Sequence, residues 1–398
     1  MDTVDVKASG LGPGSEAGTG AGAGTVTGPG AVTGPGTEAE PEPGAGPVDE
    51  PAFTLAEYEL AARGLLHAHV WDFIEGGAGA ERTLAANRAV FEDVRLRPRL
   101  LVGPGRTSTA TRLLGASVSA PIGIAPMAFH TLVHSEGEVA TVRAAGAAGL
   151  PTVVSTFAGR TVEDVAAAAA SPWWLQVYVF RDREVTRTLI ERAATAGARA
   201  LVLTADAPHL GRRLRDRRNG FRVPQHVVPA NLPGVAVEDP QAHARADIDP
   251  GLGWDVVGWL RGISGLPVVV KGILTAQDAQ RALDAGADGI MVSNHGGRQL
   301  DAVPAAFEAL PEIVQAVSGR CPVIVDGGVR GGGDILACLA AGAQAAFVGR
   351  PVLHGLAVKG EEGVRGVLEI LKEELLDAMT LAGLRELADI GPEVIGRG

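Results

Sequence analysis

The chain predicts an α/β protein, a (β/α)8 TIM barrel with an N-terminal helical segment and a disordered N-terminal tail. Three observations carry this. Eight short apolar runs recur along the sequence, the runs scarcely alternate with polar residues, and Ala-rich stretches of helical period separate them. A parallel sheet covered on both faces needs strands that are apolar on both faces, and closing eight strand–helix units makes the barrel. A length of 398 residues accommodates one such barrel and a tail.

From Gly10 to about Pro47 the chain reads "GPGSEAGTGAGAGTVTGPGAVTGPG" and similar, with almost no large apolar residues. Such a composition buries too little surface to offset the entropy of ordering, so residues 1–47 are expected to be disordered. Glycine does not recur at every third position, which excludes collagen. Residues 48–398 then form the barrel domain. It opens with a helical preamble, Phe53 to Gly79, in which Leu55, Tyr58, Leu60, Ala61, Leu65 and Leu66 fall at helical spacing before a glycine stop.

The expected strands are "PIGIAP" from Pro121, "TVVST" from Thr152, "WLQVY" from Trp174, "ALVLTAD" from Ala200, "VVVKG" from Val268, "GIMVSN" from Gly289, "VIVDGG" from Val323 and "AAFVG" from Ala345. Stretches such as "VTRTLIERAATAGA" and "TAQDAQRALDAGA" supply the helices between them. One stretch breaks the rhythm. Arg222 to Gly253 is rich in Pro, Asp and Ala and follows the fourth strand, the place and length of a lid.

A net charge of −11 argues against a nucleic-acid surface and against anionic membranes. No segment reaches the ~18 uninterrupted apolar residues of a membrane-spanning helix, and "MDTVDVKASG" has neither the basic nor the apolar part of a signal peptide. Cys321 and Cys338 have no metal-ligand or CxxC spacing and read as small buried hydrophobes in a reducing compartment. A cytoplasmic location is therefore expected.

Barrel active sites lie at the C-terminal ends of the strands. There the sequence delivers Pro126, Met127 and Ala128; Ser155 and Thr156; Gln176 and Tyr178; Thr204, Asp206 and Arg213; Lys271; Ser293, Asn294, His295 and Arg298; Asp326, Gly327, Gly328 and Arg330; and Gly349 and Arg350. A single cation at a strand end is usually a solvated charge. Here many polar groups converge on one mouth. "VDGGVRGGGD" and "FVGRP" put glycine N–H groups and two arginines after the seventh and eighth strands, where such barrels hold phosphate; turning the chain is the plainer role of these glycines.

From about Phe53 to Ile390 the chain resembles the FMN-dependent L-2-hydroxy acid oxidases and dehydrogenases, which include glycolate oxidase, lactate oxidase and mandelate dehydrogenase. The resemblance rests on "SNHGGRQLD", "LTADAPHLGRRLRDRRNGF", "VVVKGI" and "DGGVRGGGD", in the family's order. "DFIEGGAG" and "RRLRDRRNGF" look most like the actinobacterial 4-hydroxymandelate oxidase branch.

The resemblance implies FMN as cofactor and oxidation of an L-2-hydroxy acid to the 2-oxo acid. It makes His295 the base that takes a proton from the substrate while two electrons pass to flavin N5. Arg298 and Arg213 match the pair that clamps the substrate carboxylate, Asp206 the carboxylate that pairs with the histidine, and Tyr178 an active-site tyrosine. The chemistry agrees: a carboxylate wants planar bidentate donors, and an imidazole accepts and returns a proton near neutral pH. Lys271 matches the cation beside flavin N1 and O2. Ala128, Ser155, Gln176, Thr204 and Ser293 match further flavin contacts, and Asp326, Gly328, Arg330, Gly349 and Arg350 the ribityl and phosphate contacts.

Two positions depart from the family. Phe73 stands where a tyrosine often donates to the substrate carboxylate, and Met127 replaces the threonine of the Pro-Thr-Ala motif. Molecular oxygen is the expected electron acceptor, by the alanine at 128, the polar and acidic stretch "VAVEDPQAHARADIDPG" and the lack of an appended haem domain. A homotetramer is implied by resemblance. The alternatives are a dehydrogenase of the same family with another acceptor, a flavin-dependent isomerase of a phosphorylated substrate, and a non-catalytic barrel; the arginine pair with His295 and Asp206 argues against the last two.

Overall fold

Eight parallel strands close on themselves in the computed structural model, which describes residues 52–397 apart from 104, 233–237, 241 and 243–246. They are β1 (Ile122–Ile124), β2 (Thr152–Val154), β3 (Trp173–Val177), β4 (Leu201–Thr204), β5 (Val268–Ile273), β6 (Gly289–Val292), β7 (Val323–Asp326) and β8 (Ala345–Val348). Each pairs in parallel with the next, and β8 returns to β1 with Phe347 opposite Gly123. Every expected run is one of these strands.

Period two explains why the runs scarcely alternate. Along β3, β4, β5 and β7, Trp174, Val202, Val269 and Ile324 fill the barrel interior, while their neighbours Leu175, Leu201, Leu203, Val268, Val270, Val323 and Val325 belong to the layer packed under the helices. Trp174 stacks on Phe347 inside, with ring centroids 5.5 Å apart. A side chain at Gly123 would overlap the Phe347 ring, so glycine there makes room for it. The antiparallel pair Thr111–Leu113 and Ala116–Val118 adds Leu113 and Val118 to the same interior cluster.

The preamble is two helices, α1 (Leu55–Leu65) and α2 (Ala68–Glu75), followed by α3 (Arg82–Glu92). A capping box of Thr54 and Glu57 starts α1. Its buried face is Leu55, Tyr58 and Ala62, whereas Leu60 and Leu65 are exposed, so the apolar stripe is narrower than the periodicity suggests. The last α-helix, Arg350–Leu381, is broken at Lys359–Gly360 where both residues leave helical geometry, and the described chain closes on a strand, Ile395–Arg397, paired with Val94–Leu96.

The stretch expected to be a lid is anchored at several of its described residues. Val223, Val227, Leu232 and Ile248 are buried, and Ile248 bridges Phe180. The tail expected over residues 1–47 lies outside the described residues. Cys321 and Cys338 are buried and unbridged, as expected. No helix among the described residues is long and apolar enough to cross a membrane.

Candidate active site

The strand ends surround one cavity, whose empty space with its mouth is about 1390 Å³. Ala128, Ser155, Gln176, Tyr178, Thr204, Arg213, Lys271, His295, Arg298, Asp326, Gly328, Arg330, Gly349, Arg350 and Phe73 all line it. Two expected site residues stand behind the wall. Asp206 touches the site through His295, and Ser293, fully buried, accepts from Lys271 Nζ at 2.7 Å and from the His295 N–H at 3.1 Å. Ser293 therefore supports two residues that line the cavity, His295 and Lys271.

His295 follows β6 on a turn with φ of 59°, and Gly296 and Gly297 continue in the same left-handed region. A non-glycine residue there is strained, and such strain persists only where surrounding contacts impose it. Nδ1 of His295 lies 3.1 Å from Asp206 Oδ1. An ionised carboxylate only accepts, so Nδ1 carries the proton and Nε2 keeps the basic lone pair. Burial lowers the imidazole pKa, Asp206 opposes, and Lys271 and Arg213 add to the lowering; the resting base is neutral. Burial works to raise the Asp206 carboxyl, but His295 and Lys271 outweigh it and hold it below its ordinary range.

The cations are arranged in two groups. Arg213 and Arg298 stand over the Phe73 ring, with guanidinium carbons 5.6 and 5.2 Å from its centroid, and Phe73 in turn stacks on Phe221 at 4.5 Å. Where a tyrosine was the family expectation, an aromatic face supports the two guanidiniums instead. Burial lowers both arginines; Arg213 and Arg350 lower Arg298 further, and Arg350 also lowers Arg213. Tyr178 is pushed up by burial and by Asp206, so its hydroxyl stays protonated and able to donate.

Arg298 Nη1 donates to the carbonyls of Ile74 at 3.2 Å and Gly76 at 2.7 Å, at the C-terminal end of α2, where a cation is favoured. Arg350 binds the same two carbonyls through Nε at 2.9 Å and Nη2 at 3.2 Å, and Gly296 O through Nη1 at 3.1 Å. Arg350 thus ties α2 to the His295 turn as well as facing the cavity.

At the far side, Lys271 Nζ is 3.3 Å from Asp326 Oδ2, both side chains nearly buried. Asp326 Oδ1, Arg330 Nε and Arg213 Nε are buried without a hydrogen-bond partner among the described residues. Burial pushes Arg330 down to about 10. Gly327 and Gly328 have φ of 107° and 85°. A carboxylate oxygen suited to a sugar hydroxyl, beside a guanidinium and left-handed glycines suited to a phosphate, fits a flavin mononucleotide, whose ring Ser155, Gln176, Thr204 and Lys271 would face. Gln176 is itself fixed, accepting from Thr156 N at 3.1 Å and donating to Thr204 Oγ1 at 2.9 Å.

Sequence reasoning missed the apolar wall formed by Phe157, Leu210 and Ile248. Phe157 directly follows the second strand's polar pair and was legible there; Ile248 reaches the cavity only through the fold of its long segment. It also missed Glu75 and His354, paired at 3.0 Å with Glu75 held down to about 2; against the cost of burial, the hydrogen bond from His354 and the charge of Arg350 lower it. These two lie 279 positions apart, and no local pattern joins them.

The model of the FMN-dependent dehydrogenase family matches residues 62–397. The L-lactate oxidase of Nostoc sp. is 48% identical, over 84% of this chain and 96% of that protein. The 4-hydroxymandelate oxidase of Amycolatopsis orientalis is 46% identical, over 83% and 94%. A solved structure of mandelate oxidase with (S)-4-hydroxymandelic acid superposes with a TM-score of 0.82 at 43% identity, covering 87% of this chain and 99% of that one. With its barrel, cation-lined cavity and histidine–carboxylate pair, the chain belongs to the FMN-dependent dehydrogenase family and is an FMN-dependent oxidoreductase of 2-hydroxy acids.

Proposed function

We propose that the enzyme oxidises an L-2-hydroxy acid with an aromatic, mandelate-like side chain to its 2-oxo acid, and that molecular oxygen takes the electrons and leaves as hydrogen peroxide. The reaction balances as hydroxy acid plus O2 giving oxo acid plus H2O2. The observation that carries this reading is the His295–Asp206 pair at 3.1 Å on the same wall as Arg213, Arg298 and Tyr178.

The two guanidiniums and the Tyr178 hydroxyl hold the substrate carboxylate, which sets the C2 carbon against His295. His295 Nε2 takes the proton, and Asp206 stabilises the imidazolium that results. FMN, when bound, supplies the two-electron acceptor for the C2–H bond. Lys271 would hold a fixed positive charge at the flavin site and so favour a cofactor that gains negative charge. Asp326, Gly328, Arg330, Gly349 and Arg350 would hold the ribityl chain and phosphate. Phe73, Phe157, Leu210 and Ile248 favour an aromatic side chain by excluding water around it.

A cytoplasmic homotetramer completes the reading. The acidic composition and the absence of a spanning helix among the described residues support the location. Leu100, Leu101 and Leu381 are strongly exposed, and Arg99 N on Ala382 O at 3.1 Å brings the two segments together as an apolar patch that another subunit would cover.

An anaerobic panel of glycolate, lactate, mandelate and 4-hydroxymandelate, both enantiomers of each chiral acid, tests the substrate. Fastest bleaching of the yellow protein is expected with an (S)-aryl acid; preference for glycolate would overturn that assignment. Stopped-flow mixing of reduced enzyme with dissolved oxygen tests the acceptor. Reoxidation much slower than turnover with an artificial dye would make the protein a dehydrogenase with another acceptor.

A further inference from the structure

The strained turn that carries His295 needs an external hold, and one residue outside the barrel supplies it. Asn87 lies on α3, buried, and its side-chain amide faces that of Asn294 in a reciprocal pair: Asn87 Nδ2 donates to Asn294 Oδ1 at 2.8 Å, and Asn294 Nδ2 donates to Asn87 Oδ1 at 2.7 Å. Neither amide can flip without loss. Asn87 Oδ1 also accepts from Ala306 N at 3.3 Å, Asn294 Nδ2 also donates to Pro304 O at 3.0 Å, and Asn294 Oδ1 also accepts from Gly297 N at 3.2 Å. The pair therefore brackets His295 between Asn294 and Gly297.

The same residue reaches the anion corner. A side chain on Gly328 would overlap the Asn87 carbonyl oxygen, and one on Gly327 would come within 3.6 Å of Asn87 Nδ2. Gly297 is likewise pressed against α3, where a Cβ would fall 2.6 Å from Leu84 N. One side of α3 thus fits against the ends of both β6 and β7, and Asn87 is the point at which the two meet.

We propose that Asn87 is a positioning residue for the reaction: through Asn294 it fixes the direction of the His295 imidazole relative to the flavin-binding corner. This rests on the reading of His295 as the base. Misplacing a reacting group by about 1 Å can cost on the order of 100-fold in rate with little effect on binding. The effect is therefore expected in the chemical step.

The test is anaerobic stopped-flow reduction of the FMN-loaded enzyme by (S)-mandelate, using Asn87→Ala and Asn87→Asp. The aspartate keeps the shape and the acceptor for Ala306 N but sets an oxygen against Asn294 Oδ1, so it serves where the alanine fails to fold. Each variant that binds FMN is expected to be reduced roughly 10- to 100-fold more slowly, with an apparent substrate Kd within about threefold of the parent. C2-deuterated mandelate should give an isotope effect at least as large as in the parent, marking the chemical step as the one slowed.

Thr83→Val is the control. Thr83 lies on α3 and bonds Val303 through its hydroxyl, at 3.1 Å from Val303 N and 3.3 Å from Val303 O, without touching Asn294. It is expected to lower the melting temperature and leave the reduction rate near the parent's. Reduction of Asn87→Asp within about twofold of the parent would overturn the proposal, as would equal slowing by Thr83→Val or loss of the isotope effect. His295→Gln run beside them separates the two readings. If that variant is slow while Asn87→Asp is fast, only the role of Asn87 falls; if His295→Gln is reduced normally, the base assignment falls and this proposal with it.

Discussion

His295 works because its neighbours oppose one another. Burial lowers its pKa, with Lys271 and Arg213 adding to the effect, while Asp206 raises it; the balance is a neutral imidazole. A neutral base fails only when it is protonated, so the acid limb of kcat/KM is expected below the ordinary imidazole value of about 6.5. Asp206→Asn removes the group that raises the pKa. Its acid limb should move to still lower pH, while kcat falls roughly 10- to 100-fold as the imidazolium loses its counter-charge; a pH–rate profile with (S)-mandelate checks both. His295→Gln should retain FMN and lose about 100-fold or more in turnover. Phe73 offers a different experiment. Removing its ring from beneath two desolvated guanidiniums costs about 1–2 kcal/mol, so Phe73→Leu should raise KM about 5- to 30-fold with kcat nearly unchanged, measured by steady-state kinetics.

Among the elements, the last helix is the one whose internal geometry bears on the site. Arg350 and His354 lie on its first leg, and the break at Lys359–Gly360 folds the second leg back, so that Gly355 and Gly363 meet backbone to backbone. Gly360 has φ of 56° and ψ of −133°, a combination that residues with a Cβ rarely adopt. A methyl at Gly363 would overlap the Gly355 carbonyl oxygen. Gly363→Ala is expected to cost about 1–3 kcal/mol. It should lower the thermal midpoint by several degrees and weaken FMN retention, because Arg350 hangs from the displaced leg; thermal denaturation and flavin release report the two effects.

For the whole molecule, the sharpest expectation concerns residues 1–47, whose Gly, Ala, Pro and Thr composition offers no apolar face to dock. Deleting residues 2–47 should leave thermal stability, FMN content and turnover unchanged; a loss in any of them would give that segment a packing role. The barrel buries its strands on both faces, so its stability is distributed over two clusters and rests on no single contact.

The sequence by itself determined the eight strands and the polar residues at their C-terminal ends. Both signals are local: short apolar runs that alternate with helical stretches read as buried strands, and the residues that follow them lie at the mouth end of the barrel. It could not determine which of those residues face the cavity and which stand behind it. Ser293 and His295 are two positions apart, yet one is fully buried beneath Lys271 and the other lines the cavity, because the left-handed turn at His295 redirects the chain. Nor could periodicity show that Leu60 and Leu65 are exposed, since which stripe of α1 is buried depends on the helix it packs against. The Glu75–His354 pair and the Asn87–Asn294 pair join positions 279 and 207 residues apart. Only the closed tertiary structure decided those contacts, because a hydrogen bond depends on distance in space and leaves no period in the chain.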